Sequence, residues 1–224
     1  MADSGSGTET DTLRDILDAA ARGVFPAADG GTTVVPQPSA RDAGVLAFTA
    51  HSVVFTDEDP AWVRRTLAAL DCDALAATMN ARFLAAFMER TGRRTDTIDV
   101  MTVAPGLGSA DAPLLALEEI DDPGHPRVVS ARRRRDDVRV WVVEGGQGVL
   151  VLGRGVAGRL EVAVEMAEGA RNRGVGRELA RAARELAGGE AVWAQVSPGN
   201  ARSLRAFLGA GYRVVGAEAL FLPE

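Results

Sequence analysis

The chain has 224 residues, of which 46% are hydrophobic and 25% charged, enough to bury a core of its own. Thirty-one acids against 25 bases give a net charge of −6, which argues against general nucleic-acid binding, where a basic face must displace counterions. No apolar run reaches the roughly 18 residues of a membrane helix, and the single cysteine, Cys72, excludes an internal disulfide or a multi-cysteine metal site.

Residues 1–11 are polar and acidic, and read as a tail without the pattern of a signal peptide. Leu13, Ile16, Leu17 and Ala20 recur at helical spacing and predict a helix over 12–22. Gly30, Gly31, Pro36, Pro38 and Ser39 predict a linker. The β-branched, apolar run 44–56 predicts a strand or bent hairpin. Pro60 suits the first turn of a helix carrying Trp62, Val63, Leu67 and Leu70; a second helix follows at 81–90, and 98–103 reads as a buried strand. The glycine-rich stretch 105–113 is the clearest internal break, and divides the chain into 1–40, an N-terminal α/β region at 41–111, and a core at 112–224.

Beyond the break, 114–120 is a candidate strand and 125–135 a short helix ending in four arginines, expected to be solvated. Val138, Val140 and Val142 alternate, Gly145 and Gly146 turn, and 149–152 returns, a hairpin pattern. In 160–166 the apolar Leu160, Val162, Val164 and Met166 alternate with Glu161, Ala163 and Glu165. A helix bearing Val175, Leu179, Ala182, Ala183 and Leu186 comes next, then a strand at 192–196. Asn200 can cap a helix with Leu204, Phe207 and Leu208, and 212–215 and 219–222 read as two final strands. The expected fold class is α/β (α+β): a mixed, mostly antiparallel sheet flanked by helices, with an N-terminal α/β extension.

Chemistry enters at Arg171-Asn172-Arg173-Gly174-Val175-Gly176, between a strand and a helix. Glycines there let a ligand approach the backbone, and the exposed N–H groups with the helix dipole favour an anion; the arginines add charge-assisted contacts. The run lacks the Gly-Lys-Ser/Thr of a Walker loop and the third glycine of a dinucleotide fingerprint.

This Arg-x-x-Gly-x-Gly run resembles the CoA-binding motif of the GNAT superfamily of N-acetyltransferases. The segment from Asn200 to Tyr212 is similar to that family's second signature, with Asn200, Ser203, Gly211 and Tyr212 in register. Together they cover roughly 112–224. The resemblance implies acetyl-CoA as cosubstrate and no metal. The backbone of Val164, Glu165 and Met166 would pair with the pantetheine arm, as an added strand does. Amides of Arg171, Asn172, Arg173, Gly174, Val175 and Gly176 would cradle the pyrophosphate, and Asn200, besides capping its helix, would contact the pantetheine where two strands splay. Glu168 departs from the family's frequent proline, and no second CoA motif is present, since Val103 replaces the arginine before Gly106-Leu107-Gly108.

The implied reaction moves an acetyl group to a primary amine of a small molecule or peptide. It needs a base for the amine and an acid for the leaving thiolate. The family's acid is a tyrosine, and here that position is Phe207, with Tyr212 expected in the core. A thiolate leaves without much help, so turnover is compatible with the change. Glu165 and Glu161, on one face of their strand, are the candidate bases, with Ser197 behind them; both glutamates also read as plain exposed strand carboxylates. The alternative function is a non-catalytic acyl-CoA-binding or regulatory module, suggested by Phe207. His51, His125, Trp141 and Trp193 read as structural, and Cys72, between two aspartates, is a poor thiolate. All 25 bases are arginine, a GC-rich, actinobacterial-type usage. A bacterial, cytoplasmic enzyme without nucleic-acid or membrane partners is expected, and a homodimer is left open.

Overall fold

The computed structural model describes residues 12–108, 115–121, 124–170 and 173–223. Thr12 caps helix α1 (Leu13–Ala21) in a capping box with Asp15. Strand β1 (Gly31–Val35) follows, so the predicted linker is in part an edge strand. Its β-branched Thr32, Thr33, Val34 and Val35 outweigh the neighbouring glycines and prolines because β3 offers a parallel partner. The hairpin β2 (Ala43–Phe48) and β3 (His51–Phe55) turns through Ala50, at φ 54°. Helices α2 (Pro60–Ala68) and α3 (Ala81–Thr91) are capped by Asp59 and Asn80. Two short pieces, β4 (Arg93–Arg94) and β5 (Ile98–Ala104), complete the first half.

The second half holds β6 (Leu117–Ile120), α4 (Pro126–Arg132), β7 (Asp136–Val143), β8 (Gly148–Arg154) and β9 (Leu160–Met166). Then come α5 (Val175–Leu186), β10 (Val192–Val196), α6 (Ala201–Gly209) and β11 (Arg213–Pro223). The two strands expected at the end are this one strand, which absorbs its irregularity as a register shift between Val214 and Gly216 opposite β5.

One 11-stranded sheet takes in both halves, in the order β1-β3-β2-β11-β5-β10-β9-β8-β7-β6, with β4 beside β11. The pairs β1–β3 and β9–β10 are parallel and the other described pairs antiparallel. Strand β5 lies between β10 and β11, so the N-terminal region forms part of the same sheet as the C-terminal strands.

Strand alternation sends side chains to two faces. Leu179, Ala182 and Ala183 of α5 and Phe207 of α6 pack on Leu150, Val162, Val192 and Ala194. Phe83 and Phe87 of α3 cover Val45, Ala219 and Phe221 on that same face farther along. The opposite face packs Leu13, Ile16 and Leu17 of α1 against Met101, Val103 and Trp193, and Val128 and Ala131 of α4 against Val140 and Val151. Trp141 and Trp193 are buried, as expected.

Candidate functional site

Strands β9 and β10 pair only at Leu160–Val192 and Glu161–Trp193. Beyond those rungs each follows its outer neighbour: β9 stays on β8 as far as Met166–Gly148, and β10 stays on β5 as far as Val196–Val100. The sheet therefore opens as a wedge, with the β9–β10 rungs ending at Glu161–Trp193 while both strands run on. A splay between two strands of a sheet is a template for an extended ligand with amide groups.

A cleft of about 250 Å³ occupies the wedge. Toward α5 and α6 its wall is Val162, Val164, Val196, Asn200, Ser203 and Phe207; toward the other face it is Asp99, Arg135, Glu161, Gln195 and Leu220. One mouth is thus apolar and edged by helix starts, and the other is charged.

Helix α5 begins at the β9 end of the wedge. Its N-cap, Gly174, has φ 86° and caps nothing with a side chain. The left-handed conformation explains the glycine, and the uncapped first turn presents N–H groups suited to an anion. A Cβ on Gly176 would come no closer than 3.8 Å to Met166, so protein packing does not demand glycine there. Arg173, Gly174, Val175 and Gly176 border this turn; Arg171 and Asn172, predicted with them, lie outside the described residues. Asn200 accepts a hydrogen bond from the Ser203 N–H at 3.1 Å, the cap its sequence context suggests, and also lines the cleft.

The two candidate bases separate. Glu165 is exposed near the end of β9. Glu161 is buried, contrary to its reading as an exposed carboxylate: Arg159 donates to it at 2.8 Å and Arg135 at 2.9 Å. Burial would raise its carboxyl, but the two guanidiniums overcome that and hold it below the usual range. A carboxylate so stabilised is a weak proton acceptor. Arg135 is correspondingly tied down, whereas Arg133 and Arg134 beside it are exposed, as expected of a solvated helix end.

Glu161 belongs to a buried ladder. Arg159, 2% exposed, also reaches Glu218 with an Nη2–O distance of 2.6 Å, and its guanidinium lies 5.3 Å from the Trp193 ring. Gly155 makes room for this arrangement, since a Cβ there would overlap the Glu161 carboxylate. Burial drives the Glu218 carboxyl up to about 7, with Arg159 opposing the rise and Glu161 adding to it. On β5, directly across from Glu218, stands Asp99. It is half-buried, lines the cleft, and has no hydrogen-bond or ion-pair partner among the described residues. Desolvation raises its carboxyl, partly offset by Arg134.

Sequence reasoning missed Asp99 and Glu218 because their strands lie far from the two motifs and only the sheet order unites them. It also missed Gln195, at the charged side of the wedge, whose buried Nε2 has no hydrogen-bond partner among the described residues. Phe207 is buried, edge-on to Tyr212 at 5.0 Å, with part of its surface on the cleft. The Tyr212 hydroxyl donates to the Ala180 carbonyl at 3.2 Å, and burial raises its pKa, so it is the core residue expected. His51, bonded to Asp29 and Thr33, is likewise structural.

No protein-family model and no curated protein sequence matches the chain. It is similar to a solved GCN5-related N-acetyltransferase from Kribbella flavida at 15% identity and TM-score 0.42, over 62% of this chain and 63% of that one. The chain thus spans less than two thirds of that protein. A GCN5-related N-acetyltransferase from Sphaerobacter thermophilus is 16% identical, with TM-score 0.38, over 63% of this chain and 56% of that one. A GNAT-family acetyltransferase from Colwellia psychrerythraea is 9% identical, with TM-score 0.41, over 81% of each chain.

Proposed function

We propose that this chain is an acyltransferase of the GNAT type, which takes acetyl-CoA as its acyl donor and a primary amine as acceptor. The observation that carries this reading is the wedge between β9 and β10, where the two strands part beyond Glu161–Trp193 and a helix start with a glycine N-cap lies at its end. A pantetheine arm would hydrogen-bond along Val164, Glu165 and Met166, its pyrophosphate resting on the turn at Arg173–Gly176 and its amides near Asn200. The donor supplies a thioester whose carbonyl carbon is open to attack.

The acceptor comes from the charged side of the wedge. An amine is protonated near neutral pH and must lose that proton before it attacks. Asp99 is the best-placed acceptor for it, directly or through a water. Its carboxyl faces the cleft without a partner and is raised by burial, whereas Glu161 is quenched by two arginines. Nitrogen then bonds to the carbonyl carbon, the carbon–sulfur bond breaks, and the sulfur leaves as thiolate to take a proton from solvent. Gln195 can donate its free Nε2 proton to the carbonyl oxygen or to the acceptor. The balance is amine plus thioester to amide plus thiol.

Phe207 favours one other reading, a module that binds acyl-CoA without turning it over, because no phenol with a free proton faces the cleft. Calorimetry with acetyl-CoA and thiol release over an amine panel separate the two. Binding with turnover, and loss of the acid limb of kcat/KM in Asp99→Asn, are expected. Binding without turnover supports the module, and no binding at millimolar acetyl-CoA refutes both.

A further inference from the structure

Beside the cleft, sharing Arg134 and Leu222 with it, is a second hollow of about 360 Å³. Arg41, Arg94, Arg133 and Arg134 line it with Ser130. These guanidiniums come from the loop before β2, from β4 and from the end of α4, so the fold, rather than local sequence, gathers them. Asp96 bridges Arg94 and Arg134 at 3.0 Å to each. Arg41 meets Asp42 at 3.1 Å and the exposed Asp136 at 3.2 Å. Three of the four cations thus share three carboxylates, and Arg133 has no carboxylate partner among the described residues.

The Asp96 contacts show what this geometry accepts: a group with two oxygens, gripped by guanidiniums from separate segments. Planar guanidinium forks suit carboxylate and phosphate alike. On the cleft side of the shared wall stands Asp99, unpartnered, with Leu220 and Leu222 also lining the cleft. Arg134 lines the cleft together with Asp99 and acts on its carboxyl, so the carboxylate and the arginines adjoin along one wall, with Leu220 and Leu222 beside them.

We propose that the arginine hollow binds an anionic group, carboxylate or phosphate, of the acceptor whose amine reaches Asp99. The substrate class is then an amine that carries an anion a short chain away. The inference rests on the acyl-transfer reading for the amine, while the anion site has a test of its own.

Butylamine, 4-aminobutyrate and 3-aminopropylphosphonate share an amine and a short chain and differ in the far group. Acetylation should favour at least one anionic amine over butylamine by ten-fold or more in kcat/KM, and the faster of the two identifies carboxylate or phosphate as the match. In Arg133→Gln/Arg134→Gln the advantage should fall to near one. Equal rates on all three amines overturn the proposal, as does a double variant that weakens acetyl-CoA ten-fold while keeping the anion preference, since the arginines would then serve the nucleotide phosphates. Independently of turnover, titrating the full chain with inorganic phosphate should shift the Arg133 and Arg134 Nε–Hε resonances saturably at millimolar concentration. A linear drift without saturation counts against the site. Saturation in a protein that binds no acetyl-CoA would sink the acyl-transfer reading and uphold the anion site; turnover without anion preference or saturation would sink the site alone.

Discussion

Replacing Glu218 with glutamine keeps the shape of a fully buried side chain and abolishes its titration. In the folded protein burial sets the carboxyl at about 7, against 4.5 for an unperturbed glutamate. Between these values the native state keeps a proton that the unfolded chain has released, so stability falls as pH rises. The stabilising contribution is complete below about pH 4.5 and is lost as pH climbs through 7. Each pH step of one between the two values is worth about 1.36 kcal/mol, which puts the ceiling at about 3 kcal/mol. Glu161 does not mask the effect: its carboxyl is lowered, so its contribution is present above the unfolded value and fades only in stronger acid. Asp99, raised by burial, acts in the same direction as Glu218 and remains in the variant. Urea unfolding followed by far-ultraviolet circular dichroism at pH 5, 6, 7 and 8 reads the difference. Wild type should lose up to about 3 kcal/mol across that range, and Glu218→Gln less than about 1 kcal/mol. Parallel curves for the two proteins would refute the reasoning and mean that Arg159 keeps Glu218 ionised throughout.

Arg159→Met should be far more damaging, about 3–5 kcal/mol in urea, because two carboxylates lose their common buried cation; Arg139→Ala, which breaks the exposed pair with Glu119, should cost less than about 1 kcal/mol, and similar losses would contradict the ladder's importance. Gly176→Val should weaken acetyl-CoA by ten-fold or more, about 1.4 kcal/mol by calorimetry, with a near-native dichroism spectrum because a Cβ there meets only Met166 at ordinary distance; wild-type affinity would reduce the Gly-x-Gly to a turn. Phe207→Tyr should put a hydroxyl into the cleft that the ring already lines and add a basic limb to the kcat profile. A loss of about 1–3 kcal/mol with an unaltered profile would instead place the hydroxyl among the helices, buried and unpaired.

Where period and caps were strong, the elements were legible: α1 with its Thr12–Asp15 box, the β7–β8 hairpin, and the β9–α5–β10 run all fall where spacing puts them. Strand β1 was not, because its partner β3 lies across a hairpin and flanking glycine and proline mimic a linker. On the site, the glycine-opened start of α5 and the helix cap at Asn200 follow from local residue types. Glu161 did not follow, since alternation alone cannot tell solvent from a buried arginine two residues away. Nor did Asp99, whose neighbour Glu218 is set by a strand order that no local pattern records.

That strand order also governs when the cleft comes into being during synthesis. Strand β5 leaves the ribosome well before both its neighbours, β10 and β11. Until then a Val- and Met-bearing strand has two bare edges, a state open to pairing with other chains. The wedge wall that holds Asp99 is consequently assembled by contacts about a hundred residues apart in sequence. Closure over such separations is slow, so the cleft forms only after β10 has been made, and an interrupted chain ending before residue 192 has half the wedge and no means of completing it.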